Sequence, residues 1–261
     1  MRMRKNQIAA TCLCVPFWMG GVIAQESESP ETGYFKISMT PTDVIGEASA
    51  QGLADVLPPD EEINWQLFVP HSYAADNPPG VVVYVSPRET GGPPNDWNDL
   101  LGEQNLIWVG ANGAGNKNPV AERMLKAIIA PTMLAKTYAI NAERCYIAGF
   151  SGGSMTAMRI ASLRPEQFKG GVYIAGSVFW GDNAPPKIDL IKQNRHVFMV
   201  GTYDEEMKKT RRVYNDYKKA GIENSELIII RNHSHRLPPT TYFVKAIEYL
   251  DSGTIYQGEE Q

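Results

Sequence analysis

The sequence predicts an α/β fold with one mainly parallel sheet of about eight strands and helices on both faces. Apolar runs typical of buried strands alternate with helical patterns, and this alternation favours parallel strands joined by helices. The run Val81–Val85 is continuously apolar, as expected for a strand covered on both faces. The 261 residues are 43% hydrophobic and 21% charged, so the chain can bury a substantial core.

The first half of the chain contains four of the predicted strands and two of the predicted helices. The strands are expected at 34–38, 63–69, 81–85 and 106–109, and the helices at 96–104 and about 120–138. Pro131 lies inside the second helical pattern, and its ring and missing N–H predict a bend there.

The second half of the chain continues the alternation more regularly. Strands are expected at 144–148, 171–175, 196–200 and 226–230. Helices are expected at 152–163, between the strand at 196–200 and residue 220, and after Pro238-Pro239. Gly221 is typical of a helix C-terminus. No linker divides the sequence, so residues 25–261 are expected to form a single domain.

The N-terminus has the pattern of a secretory signal peptide. Arg2, Arg4 and Lys5 precede a mostly apolar stretch at 8–22, and small or aliphatic residues stand before Gln25. Residues 1–24 are therefore predicted to be removed, which places the mature protein outside the cytoplasm, either secreted or periplasmic. No other stretch approaches the ~18 apolar residues of a spanning helix, so no membrane association is expected after cleavage.

Composition and short motifs argue against several classes of protein. The 25 basic and 29 acidic side chains give a net charge of −4, which argues against general nucleic-acid binding. The sequence has no CxxC, HExxH or phosphate-binding loop, so neither a metal nor another cofactor is expected. Cys145 is the only cysteine after the signal peptide, and its apolar surroundings predict a buried thiol rather than a disulfide.

The residues Gly149-Phe150-Ser151-Gly152-Gly153 match the pattern G-x-S-x-G. They lie between a predicted strand and a predicted helix, which is the setting of a nucleophile elbow. Glycines are needed there because the turn is too tight for side chains on both sides of the serine. Ser151 is therefore the candidate nucleophile, at a helix N-terminus that favours developing negative charge.

A serine nucleophile needs a base, and the sequence has four histidines. His71 is expected in a surface loop, and His196 begins a strand at the edge of the sheet away from catalysis. His233 and His235 both follow the last strand, where catalytic loops gather in open α/β sheets. We prefer His235 as the base, with His233 as the alternative.

The third catalytic group should be a carboxylate that orients the imidazole. Asp204 lies in the loop after the penultimate strand, while Asp182 and Asp189 follow the strand before it and are the alternatives. With Asp204 the chain order is serine, acid, histidine, the order found in α/β-hydrolases.

An oxyanion hole needs two backbone N–H donors. Gly152, directly after the nucleophile, is expected to supply one, and the loop after Val81–Val85 the other. Pro87 in that loop has no N–H, so Arg88 is the candidate second donor. The alternative is that Arg88 has no such role and its side chain lies in solvent.

Together these segments resemble the α/β-hydrolases of the polyhydroxybutyrate depolymerase and feruloyl esterase-like group, from about residue 67 to 251. The resemblance is carried by Phe-Val-Pro70, Leu-Ile-Trp-Val-Gly-Ala-Asn112, Ala-Gly-Phe-Ser-Gly-Gly153 and His235-x-Leu-Pro238. It implies a serine esterase with Ser151, Asp204 and His235 as the catalytic residues. Such hydrolases commonly have His-Gly at the strand end where this sequence has Ser86-Pro87.

The leading functional hypothesis is a carboxylic ester hydrolase that acts through an acyl-enzyme on a small or oligomeric ester. A serine peptidase of the prolyl-oligopeptidase type and a non-catalytic binding protein on the same scaffold are the alternatives. Trp97, Phe179 and Trp180 are candidate pocket walls, with ordinary packing as the other interpretation, and Ser177–Pro186 is a candidate flap.

Overall fold

The computed structural model describes residues 30–254 of the chain. The predicted signal peptide, residues 1–24, lies outside the described residues. Among the helices that are described, none has the length and apolar character needed to cross a membrane.

Eight strands form one sheet. They are β1 Gly33–Met39, β2 Ile63–Val69, β3 Gly80–Val85, β4 Leu106–Ala111, β5 Cys145–Phe150, β6 Gly170–Ile174, β7 Arg195–Gly201 and β8 Ser225–Ile230. Their order is β1-β2-β4-β3-β5-β6-β7-β8. β2 pairs antiparallel with β1 and β4, and all other neighbouring strands are parallel. The predicted mainly parallel sheet of about eight strands is confirmed.

Nine α-helices accompany the sheet in residues 30–254. They are α1 Pro41–Ile45, α2 Glu47–Gln51, α3 Asn98–Glu103, α4 Val120–Ile128, α5 Ala130–Leu134, α6 Gly152–Leu163, α7 Ile188–Gln193, α8 Met207–Lys219 and α9 Thr240–Ser252. The expected helix over 120–138 is instead two helices, because Pro131 lies in the first turn of α5 and cannot continue the hydrogen bonds of α4. The short helices α1, α2 and α7 were not predicted.

The two faces of the sheet carry separate apolar cores, because successive side chains of a strand point to opposite faces. Val81, Val83 and Val85 of β3 contribute to one core, together with residues of α4, α5, α6 and α8. Val82 and Tyr84 contribute to the other, which α3 and α9 cover. Helices therefore lie on both faces, as predicted. The loops that follow the parallel strands lie at the carboxyl ends of these strands.

The C-terminal end of α9 is bonded to the beginning of β5. The Asp251 carboxylate accepts hydrogen bonds from the Arg144 guanidinium at 2.8 Å on each oxygen and from the Tyr146 hydroxyl at 2.5 Å. Two parallel bonds between guanidinium and carboxylate fix the relative orientation of the groups as well as their separation. This contact joins the last helix to the strand that leads to Ser151.

His196 in β7 is a buried histidine that is satisfied in its neutral form. It is 1% exposed, Nδ1 lies 2.9 Å from the Tyr173 hydroxyl, and Nε2 lies 3.0 Å from the Ile191 carbonyl oxygen. A neutral ring that donates from Nε2 and accepts at Nδ1 matches these partners. Burial lowers the pKa of His196 to about 4, against a smaller opposing effect of the Ile191 carbonyl.

We expect His196 to weaken the fold as the pH falls. The unfolded chain binds its proton near pH 6.5 and the folded chain near pH 4, so stability falls across that interval. The full effect is about 3 kcal/mol, since one pKa unit corresponds to about 1.4 kcal/mol. Urea unfolding of the wild type and His196→Gln at several pH values measures it. The two stability curves should converge as the pH falls, and parallel curves would contradict the assignment.

Candidate active site

Ser151 occupies a strained turn between β5 and α6. Its φ is 54° and its ψ is −123°, a conformation that residues other than glycine rarely adopt. The Ser151 N–H donates to the carbonyl oxygen of Ile174 in β6 at 2.8 Å, which holds the turn against the neighbouring strand. Strain of this kind costs about 1–3 kcal/mol and persists only where surrounding contacts maintain it.

The two glycines after Ser151 leave room for different neighbours. A Cβ on Gly153 would lie 2.0 Å from the backbone oxygen of Val85, so α6 starts directly against β3. A Cβ on Gly152 would lie 2.3 Å from Oδ1 of the exposed Asn116 side chain. The first neighbour is fixed backbone and the second is the end of a flexible side chain.

The structure brings together the three residues that the sequence analysis selected. His235 Nε2 lies 2.9 Å from Ser151 Oγ, and His235 Nδ1 lies 3.0 and 3.1 Å from the two carboxylate oxygens of Asp204. Ser151 follows β5, Asp204 follows β7 and His235 follows β8. The three side chains meet because the carboxyl ends of parallel strands share one edge of the sheet.

The surroundings of the imidazole favour one tautomer. The Asp204 side chain is fully buried and can only accept hydrogen bonds when ionised, so Nδ1 carries the proton and Nε2 is free to accept. Asp204 Oδ1 also accepts from the backbone N–H of Glu206 at 2.9 Å. The ring of Phe150 lies 4.9 Å from the imidazole, centroid to centroid. This arrangement can remove a proton from the Ser151 hydroxyl.

The alternative residues lie elsewhere. The imidazole of His233 bonds to Arg236, with Nδ1 accepting from Nε at 3.3 Å and Nε2 lying 3.2 Å from the backbone oxygen. Asp182 and Asp189 form no hydrogen bond with His235 in the described part of the chain. The geometry therefore favours His235 over His233, and Asp204 over the other two carboxylates.

The two predicted oxyanion donors differ in availability. The Gly152 N–H stands at the start of α6 and has no acceptor within residues 30–254. The Arg88 N–H donates to Ser86 Oγ at 3.0 Å, so an oxyanion could receive it only after that bond breaks. Arg88 as second donor stays a prediction.

Asn116 is a residue at this site that the sequence analysis missed. Its carboxamide contacts Gly152, and its backbone N–H donates to the Pro87 carbonyl oxygen at 3.0 Å, which joins the loop after β4 to the loop after β3. Its loop has no motif and no regular periodicity, so the sequence offered no signal for this contact.

A cavity of about 530 Å³ opens beside His235. Its walls include the following side chains of the loops after β3 and β8 and of the adjoining strand ends: Tyr84, Ser86, Arg88, Phe150, His235 and Arg236. The rest of the lining is formed by Pro87, Thr90, Gly92, Pro93, Pro94 and Leu237.

The predicted aromatic walls are not part of this cavity. Trp97 is 2% exposed and packs against Trp108 and Phe243 in the core under α3 and α9, so its prediction as a pocket wall is wrong. Phe179 and Trp180 line a separate, largely apolar cavity of about 390 Å³ along α6, which His235 does not line.

Cys145 is a buried cysteine without a reactive thiol. Burial raises the pKa of the thiol to about 12, which keeps it protonated. Within residues 30–254, no three His, Cys, Asp or Glu side chains are grouped so that they could hold a metal ion.

Comparison with known proteins identifies the fold. No protein-family model matches the sequence, and no curated protein matches it either. Among solved structures, a ferulic acid esterase has a TM-score of 0.58 at 15% identity, over 84% of this chain and 97% of that one. S-formylglutathione hydrolase from Staphylococcus aureus has a TM-score of 0.58 at 12% identity, over 84% and 96%.

Peptidases are similar over one part of their length. Porphyromonas gingivalis dipeptidyl peptidase 4 has a TM-score of 0.55 at 16% identity, over 74% of this chain, and this chain spans only 34% of that protein. The eight-stranded sheet and these similarities show that the chain has the α/β-hydrolase fold, the class expected from its residues. At such low identities the similarity shows the fold alone.

We expect Gly152 and Gly153 to respond differently to an added methyl group. Gly153→Ala forces the new methyl group against the Val85 carbonyl and should cost about 3 kcal/mol, because backbone on both sides must shift. Gly152→Ala needs only a rotation of Asn116 and should cost less than about 1 kcal/mol. Urea unfolding of both variants measures the difference, and similar losses would contradict this account of the turn.

Proposed function

We propose that the protein is a serine hydrolase that cleaves carboxylic esters through an acyl-enzyme. The observation that carries this proposal is the continuous contact from Ser151 Oγ to His235 Nε2 at 2.9 Å and from His235 Nδ1 to Asp204 at 3.0 Å. A serine, a base and an orienting carboxylate in this geometry define nucleophilic acyl transfer.

In the proposed reaction, His235 Nε2 takes the proton from Ser151 as Oγ attacks the ester carbonyl carbon. Asp204 keeps the imidazole in the correct tautomer and stabilises the positive charge that forms on it. The Gly152 N–H and the N-terminus of α6 face the developing oxyanion. His235 then gives its proton to the departing alcohol, and water releases the acyl group by the same steps in reverse order.

Support for an ester as the substrate comes from three sources. Two similar structures are named as a ferulic acid esterase and an S-formylglutathione hydrolase. The sequence motifs resemble the polyhydroxybutyrate depolymerase and feruloyl esterase-like group. The cavity beside His235 is large enough for a small ester or the end of an oligomer.

A peptide bond is the alternative target, because dipeptidyl peptidase 4 is among the similar structures. A peptidase would cleave amides of short peptides and act poorly on simple esters. A binding protein without catalysis would bind an ester and leave it intact. Each alternative is distinguished by turnover of matched ester and amide substrates.

Ser151→Ala should lower kcat for a short-chain 4-nitrophenyl ester by about 10⁶-fold, the order seen when a triad serine is removed. Ser162→Ala is the matched control, because Ser162 is a half-buried serine on the same helix whose hydroxyl bonds to the Met158 carbonyl and Tyr217 rather than to His235. A fluorophosphonate probe should label the wild type and the control but not Ser151→Ala. Labelling without turnover of any ester, or undiminished turnover by Ser151→Ala, would contradict the proposed role.

We also propose that the protein is exported, on the basis of the basic and apolar N-terminal pattern that ends at Ala24. N-terminal sequencing of the protein recovered from an exporting bacterial host should begin at Gln25. Replacing Arg2, Arg4 and Lys5 with Glu should keep the full-length chain in the cytoplasm. A mature protein that begins at Met1 outside the cytoplasm would contradict cleavage at this point.

A further inference from the structure

The cavity beside His235 contains two guanidinium-bearing residues and no acidic one. Arg88 stands on the loop after β3 and Arg236 on the loop after β8, so they approach the cavity from different segments. Neither Asp nor Glu contributes to its lining. This is unexpected in a chain with a net charge of −4.

The positive charges of Arg88 and Arg236 are not neutralised by neighbours. Neither forms an ion pair with a carboxylate in the described part of the chain. Glu89, next to Arg88 in sequence, instead accepts a hydrogen bond from Asn118 Nδ2 at 3.0 Å. Arg236 donates from Nε to the neutral ring nitrogen of His233 at 3.3 Å, and that bond leaves its charge uncompensated.

Tyr84 adds a hydrogen-bond donor to the same cavity. It is 6% exposed, its ring packs 4.5 Å from that of Trp108, and its hydroxyl has no hydrogen-bond partner within residues 30–254. Burial raises the pKa of the phenol, and the positive charge of Arg88 has a smaller, opposite effect. A neutral hydroxyl in the cavity wall without a partner in the described part of the chain is a donor available to a ligand.

We propose that this cavity binds a carboxylate carried by the substrate, so that the substrate is an ester that also bears a free carboxylate group. The guanidinium groups of Arg88 and Arg236 supply charge-assisted hydrogen bonds, and the Tyr84 hydroxyl supplies a neutral one. This inference rests on the proposed function, because it assigns the substrate class of the same site. It assigns a specificity role to three residues that do not take part in proton transfer.

Two pairs of esters test the proposal by turnover. The first pair places the charge on the acyl side: 4-nitrophenyl hemisuccinate against 4-nitrophenyl pentanoate. The second places it on the alcohol side: 4-carboxyphenyl butyrate against its methyl ester. In one pair the anionic member should have a kcat/KM about tenfold higher, the scale of one charge-assisted hydrogen bond. That preference should weaken with added salt, since both arginines are exposed.

The variants Arg88→Gln and Arg236→Gln should each reduce the ratio of anionic to neutral kcat/KM towards one, while Tyr84→Phe should reduce it by a few-fold. Arg88→Gln keeps the backbone N–H, so any oxyanion contact by that group is retained. Arg212→Gln is the charge-matched control, because Arg212 is exposed on α8 and does not line the cavity. The control should leave the ratio unchanged.

Binding to Ser151→Ala tests the cavity without turnover. Calorimetry should show tighter binding of monoethyl succinate than of diethyl succinate, and Arg88→Gln in the same background should remove the difference. Such binding in a protein whose wild type cleaves no ester would uphold the carboxylate site and reject the esterase. Two outcomes would uphold the esterase and overturn the carboxylate site. In the first, the protein cleaves esters but neither turnover nor binding favours the anionic member. In the second, the preference for the anionic member does not depend on Arg88 or Arg236.

Discussion

The position of Ser151 depends on how closely the turn after β5 approaches β3. Gly153 lies against the Val85 carbonyl, where a single methyl group would come within 2.0 Å of the oxygen. On the other side, the Ser151 N–H is bonded to Ile174 of β6. Because the turn is held between two strands, the unusual φ of Ser151 is maintained, and its hydroxyl stands clear of the helix at the edge of the sheet.

The orientation of the His235 imidazole depends on the buried Asp204 carboxylate. Burying an ionised carboxylate costs several kcal/mol unless hydrogen bonds compensate, and Asp204 accepts them from His235 Nδ1 and from the Glu206 amide. The imidazole is thereby held in one tautomer with Nε2 towards Ser151 before any substrate is present. In the proposed reaction, such preorganisation limits the rearrangement that accompanies proton transfer.

The fold and Ser151 could be predicted from the sequence because their signals are local, and Asp204 and His235 because they follow predicted strands whose carboxyl ends share one edge of the sheet. Buried parallel strands read as apolar runs, and the motif around Ser151 depends on five consecutive residues. The other features depend on tertiary packing. Trp97 is buried because α3 and α9 cover its face, the Arg88 amide is occupied because the Ser86 hydroxyl turns back on it, and Asn116 reaches Gly152 because two loops meet. Residue type alone does not distinguish these outcomes.

The contact between Asp251 and Arg144 has a consequence for the separation of Ser151 and His235. β5 ends next to Ser151, and α9 begins shortly after His235, so the contact ties the two supporting elements at their far ends. The bidentate contact therefore restrains the C-terminal end of α9 relative to β5. A chain truncated before residue 251 would lose this restraint. The separation between the His235 imidazole and the Ser151 hydroxyl would then vary more, although both groups would still be present.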